Sequence, residues 1–142
     1  MKRTAMLTVA AIGALAIALG ASPLQAEVAG PATHGAYTAG QAAAGAKTYT
    51  ASCSACHGVT LRGGLGPALI GDAFTAQWTG EPAEDMYSMM STNMPQGAPA
   101  SLKPGEYLAI MAYILQQNKF PAGSTPLTEA KLKAIKIVAP PN

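Results

Sequence analysis

Cys53-Ser54-Ala55-Cys56-His57 gathers two thiols and an imidazole within one short run. C-x-x-C-H is the attachment signature of c-type haem. The thiols can form thioethers to the haem vinyl groups, and the adjacent imidazole can bind the iron from one side. The chain has 2 cysteines in all, so no thiol is left for another role. A disulfide or a zinc module is the competing chemistry. The histidine directly after the second cysteine favours haem attachment.

If His57 binds iron through one ring nitrogen, the other nitrogen needs an acceptor that fixes tautomer and orientation. The carbonyl of Pro67 is the candidate, at the end of the glycine-rich run Gly58 to Pro67. The opposite face of the iron decides the function. A methionine there closes the iron, favours its reduced form and suits electron transfer. Met86, Met89 and Met90 recur at helical spacing and read as core side chains, as does Met111. Met94 stands in a loop before a proline, with Gly97 and Pro99 close behind. It is the expected sixth ligand, with Met89 and Met90 as alternatives. His34 would give a bis-histidine site, but it lies ahead of the first expected helix and reads as exposed. Arg62, Trp78 and Tyr87 are candidates for contact with haem propionates, by charge or by N–H and O–H donation. A surface charge and ordinary aromatic packing are the competing readings.

The elements that must position these residues are helical. From Gly40 the composition favours a helix, and Ala42, Gly45, Ala46 and Tyr49 mark one face. The glycines after His57 suit a tight backbone path beside a flat ligand. The stretch carrying Phe74 and Trp78 reads as irregular. Gly80 to Asp85 opens a helix that runs to about Thr92, with Pro82 near its first position and acidic residues beside its positive end. Met94 to Pro99 breaks the pattern. Ser101 is a candidate N-cap for a helix with Pro104 in its first turn, ending near Asn118. Tyr107, Ile110, Met111 and Ile114 form its apolar stripe. A short helix is expected from Leu127 to Ile135, opened by Thr125 and Pro126. No strand pattern or internal repeat stands out. The expected class is small all-α, with four to five helices and long loops around one covalent haem, which supplies the apolar centre that a chain of this size lacks.

The chain's 142 residues suit one domain with a removable start. Lys2 and Arg3 precede an uncharged apolar run from Met6 to Leu19, and Leu24-Gln25-Ala26 precedes Glu27. This is the layout of a secretory signal peptide over residues 1–26. The apolar run is shorter than the roughly 20 residues that a spanning helix needs. Cleavage leaves no membrane insertion. Residues 27–39 read as a flexible lead-in, and 40–142 as the haem domain. The full chain has 9 Lys+Arg against 7 Asp+Glu, and loss of Lys2 and Arg3 balances the two. The chain's net positive charge therefore gives no case for nucleic-acid binding. Export to the periplasm is the expected localisation, and a monomer the expected state.

Cys53 to His57, Gly66-Pro67 and Met94-Pro95, in that order, make the chain resemble class I cytochromes c from about Gly40 to Asn118. Leu61 to Leu69, Phe74, Trp78 and Met94 to Pro99 resemble most closely the small haem domains and subunits that serve quinoprotein alcohol dehydrogenases. The resemblance implies one haem c and no enzyme activity. It also implies redox partners: a dehydrogenase as donor, and another cytochrome or an oxidase as acceptor. A permanent dehydrogenase subunit and a haem enzyme or gas sensor with a labile sixth position are the alternatives. The family's fold implies that the first and last large helices cross, bringing Gly45 and Tyr49 to Tyr107, Met111 and Ile114. With Lys131, Lys133 and Lys136 at the far C-terminus, a weak, largely apolar docking patch is expected, supplied by Ala51, Ala55, Val59 and Leu61.

Overall fold

The computed structural model describes residues 35–139. The expected signal segment, most of the lead-in and His34 lie outside the described residues. Six helices follow in order: α1 (Ala39–Ser52), α2 (Ser54–His57), α3 (Asp72–Trp78), α4 (Ala83–Asn93), α5 (Pro104–Gln117) and α6 (Glu129–Leu132). Among the described residues there is no strand, only an isolated bridge between Pro82 and Lys136. None of the described helices is long and apolar enough to cross a membrane.

The centre of the fold is the contact of α1 with α5. Alanine-rich α1 is a good helix former, and Thr38 caps it by accepting the Gln41 N–H at 3.1 Å. Its Ala42, Gly45 and Tyr49 are buried. A Cβ at Gly45 would overlap the Ala109 carbonyl and crowd the Ile110 nitrogen. The two backbones therefore meet at Ala109–Ile110, a little along α5 from the expected Tyr107, Met111 and Ile114. Tyr49 stacks on Tyr113, with ring centroids 5.4 Å apart. Lys103, not Ser101, precedes α5. The Lys103 N–H donates to Glu106 Oε2 at 2.8 Å, half of a capping box, and Pro104 takes the first helical position.

Three further expectations are corrected. Residues 72–78 are helical rather than irregular. Phe74 and Trp78, one turn apart, give α3 a buried edge. The last helix is shorter than expected and starts after Thr128, because the chain beyond it is used otherwise. The Ile135 carbonyl accepts the Ala83 N–H at 2.8 Å, and Ile137 exchanges backbone bonds with Gly80 and Glu81. These bonds fix the start of α4. The end of the lead-in is also packed. Tyr37 is fully buried and donates to the Phe120 carbonyl, while Gly35 bonds Pro121 and Gly123 bonds Tyr37 through the backbone. The packed body therefore extends ahead of the expected boundary at Gly40.

Candidate haem site

The cysteine turn continues α1 with hardly a break. The Cys53 N–H donates to Tyr49 O at 2.8 Å, and the His57 N–H to Cys53 O at 3.0 Å. Positions three and four apart on a helical turn share a face, so Cys53, Cys56 and His57 are presented to one side. The glycine run then folds back over the open end of the turn. Gly66 N–H donates to Cys56 O at 2.8 Å, and Gly63 N–H to His57 O at 3.0 Å. These bonds satisfy carbonyls that a helix end leaves free. They also bring Pro67 to the imidazole, where its carbonyl oxygen lies 2.8 Å from His57 Nδ1. With Nδ1 donating there, Nε2 keeps its lone pair. A Cβ on Gly66 would press on the ring at 3.0 Å, so glycine lets this backbone lie against the imidazole.

A cavity of about 410 Å³ opens beside the turn. Cys53, Cys56, His57, Trp78 and Met94 all line it, and none of its wall residues carries a charge. Met86, Met89, Met90, Ile110 and Ile114 supply apolar surface from α4 and α5. The residues present fit a flat apolar group tethered at two thiols. Neither cysteine is in a disulfide, and before haem attachment burial and the neighbouring Cys56 push the Cys53 thiol up to about 11. Trp78 is only 7% exposed, and its indole N–H has no protein acceptor among the described residues, an unmet donor of the kind that a bound carboxylate would satisfy.

Met94 reaches the cavity from the C-terminal end of α4. Its N–H donates to Met90 O at 3.0 Å, closing the helix, and its carbonyl accepts the Tyr107 hydroxyl at 2.7 Å. Residue types alone did not single out Tyr107 or Asn118 in these roles. The Asn118 amide accepts the Gly71 N–H at 3.0 Å and donates to Leu69 O at 2.9 Å. It thereby ties the end of the glycine loop to α5.

The structure does not bring every candidate to the cavity. Arg62 is exposed and lines a separate open groove of about 810 Å³ with Asp72, Tyr113 and Lys119. Tyr87 donates to Glu129 at 3.1 Å, away from the cavity wall. Leu61 is core rather than docking surface, because its backbone at φ 59° turns it inward and Leu69 N–H holds its carbonyl. The exposed apolar residue at the cavity is Leu65, 90% accessible, which the expected patch had omitted.

A fold of helices around an uncharged cavity with two thiols and an imidazole at one wall defines a c-type cytochrome. Residues 40–114 match the family model described as cytochrome C oxidase, cbb3-type, subunit III, and the chain belongs to that cytochrome c family. Family membership brings covalently bound haem c and a role in electron transfer. A crystal structure of the sulfane dehydrogenase SoxCD from Paracoccus pantotrophus is similar in fold, with a TM-score of 0.55 and 22% identity. The match covers 86% of this chain and 68% of that one. No curated protein sequence matches the chain.

Proposed function

We propose that this is an exported single-haem electron carrier in which His57 and Met94 are the two axial ligands. The observation that carries the reading is one uncharged cavity lined by Cys53, Cys56, His57 and Met94 together. Haem c, when bound, supplies a one-electron couple at its iron. The chain's own residues do the rest. Cys53 and Cys56 would tether the group, and the Pro67 carbonyl, by accepting from His57 Nδ1, would leave Nε2 free to hold the iron. Met94, in the same cavity, would supply the second donor and would keep small molecules off the iron. Trp78 offers its N–H to a propionate. Arg62, set in its separate groove, acts as surface charge. No bond in a substrate changes, so the protein is not an enzyme.

Export to the periplasm rests on Lys2-Arg3, the apolar run after them and Ala26. Docking is proposed to use the exposed apolar side chains of Leu65, Ala51, Ala55 and Val59, with Arg62 beside Val59. Of the C-terminal lysines, Lys133 pairs with Glu84 at 3.7 Å beside α6, an exposed contact of little energetic weight. Donors of the quinoprotein dehydrogenase type remain the proposal from residues 61–69 and 94–99, with a cytochrome or oxidase as acceptor. A second reading is favoured by the matched family's description as an oxidase subunit: a cytochrome held permanently in a larger complex. Copurification with a large redox enzyme through salt washes supports that reading, and a monomer supports the carrier.

The test of the carrier is a potentiometric titration of the native holoprotein, with carbon monoxide added to the reduced form. One single-electron wave and no rapid carbon monoxide binding is the expected result. Rapid binding without denaturant would show an open sixth position, and the gas-sensor or haem-enzyme reading would replace this one.

A further inference from the structure

We infer that Tyr107 is a positioning residue for the Met94 ligand, acting through the backbone rather than the sulfur. The inference rests on the reading of Met94 as the sixth ligand. Both backbone polar groups of Met94 are engaged, and by two different helices. The N–H is spent on Met90 O at the end of α4, and the carbonyl receives the Tyr107 hydroxyl from α5 at 2.7 Å. The same phenol oxygen faces the Leu102 N–H at 3.4 Å, at the far end of the loop. One side chain therefore touches both ends of the segment between α4 and α5. Tyr107 is itself 3% exposed and sits in the first turn of α5, so its hydroxyl has little freedom to move.

Between the two attachment points the loop has a turn of its own, with Ala98 N–H donating to Pro95 O at 2.9 Å and Gly97 at φ 103°. Residues 96–101 are exposed, and Pro95 is half-buried at the cavity. Its attachment to the body is Met94 at one end, Leu102 at the other, and Tyr107 beneath both. In this inference Met94 gives way to another ligand by an outward movement of the carbonyl end of this segment, rather than by side-chain rotation alone. That swing breaks the Tyr107 bond. The hydroxyl thus contributes to the cost of opening, and the affinity for an external ligand scales with the fraction of open molecules.

Tyr107→Phe removes the hydroxyl and keeps the ring. Its test is the binding of imidazole to the ferric holoprotein, with the sulfur–iron charge-transfer band as the readout. The affinity for imidazole should rise about fivefold, which corresponds to one hydrogen bond of ~1 kcal/mol at ~1.4 kcal/mol per factor of ten. Tyr37→Phe is the matched control. It removes a buried hydroxyl-to-carbonyl bond at the other end of the molecule and should leave imidazole affinity unchanged. Equal affinities in Tyr107→Phe and the unaltered protein, or equal rises in both variants, would overturn the inference.

Met94→Ala separates this outcome from failure of the underlying reading. Survival of the charge-transfer band in Met94→Ala removes the ligand itself, whereas its loss there with an unmoved Tyr107→Phe removes only the clamp. If Tyr107→Phe does not fold, hydrogen exchange on the unaltered holoprotein serves instead. Imidazole should strip protection from the Leu102 amide and spare the Gly123 amide, which bonds Tyr37 O. Unchanged protection at Leu102 would overturn the inference.

Discussion

The two walls of the cavity are built on different principles. The cysteine wall is local. Its bonds run among Cys53, Cys56, His57, Gly63, Gly66 and Pro67, all within one short stretch. The methionine wall is not. Met94 is placed by the end of α4 and by a tyrosine from α5, and α4 is in turn fixed by Ile135 and Ile137 near the C-terminus. A local wall needs little of the remaining fold to keep its shape, whereas a wall assembled from distant segments opens when any of them loosens. The fixed wall suits residues that tether and orient, and the conditional wall carries Met94, the proposed sixth ligand.

The largest effect is expected from the local wall. Replacing Cys53 and Cys56 together by alanine should abolish covalent haem, read as loss of haem stain on a denaturing gel. Stain that persisted would break the assignment of the cysteine turn. Next comes the joint between the walls. Gly45 lies where α1, which leads into the cysteines, meets α5, which carries Tyr107. Gly45→Ala should lower the stability of the holoprotein by about 2–3 kcal/mol, the cost of forcing a Cβ into a packed contact, measured by denaturant midpoint. Gly66→Ala tests the local wall alone. Its Cβ meets the His57 ring at 3.0 Å, and a loss of about 1–2 kcal/mol with a shifted potential is expected. An unchanged potential would show that the ring is not held by this loop.

The smallest effect is a pH dependence. Burial, helped by Tyr113, pushes the Tyr49 phenol up to about 12. Its ordinary value is 10.0, so the folded state keeps a proton that the unfolded state gives up. The stability tied to that proton is complete below pH 10 and is lost as pH rises toward 12. Tyr49→Phe should flatten the alkaline decline in stability and cost ~1 kcal/mol at neutral pH, for the lost bond to Gly58 O at 2.6 Å. An alkaline decline as steep as that of the unaltered protein would assign it to other groups.

The difference between the walls also explains what the sequence made legible. Cys53, Cys56, His57 and the Pro67 carbonyl could be read as a unit because their geometry is set by spacing and by glycines beside them. Met94 could be singled out because a loop and a proline separated it from the helical methionines. Tyr107 and Asn118 could not, since each acts on a segment far away in the chain, and an apolar stripe hides a hydroxyl whose acceptor is another segment's carbonyl. The same blindness displaced Leu61, whose burial comes from a left-handed backbone rather than from any pattern. It also hid α3, a helix so short that Phe74 and Trp78 show only one repeat of the 3.6-residue period. The α1–α5 crossing, by contrast, was implied by the family resemblance, and Gly45 in an alanine-rich helix agreed with it by calling for a close packing partner.

The central claim is that Met94, held by the distant wall, closes the iron opposite His57. Absorption spectra of the ferric holoprotein and of Met94→Ala test it directly. The account predicts a weak sulfur–iron charge-transfer band in the native protein, its loss in the variant, and ready binding of imidazole once the thioether is gone. A band that survives in Met94→Ala would contradict it and move the ligand to Met89 or Met90 on α4.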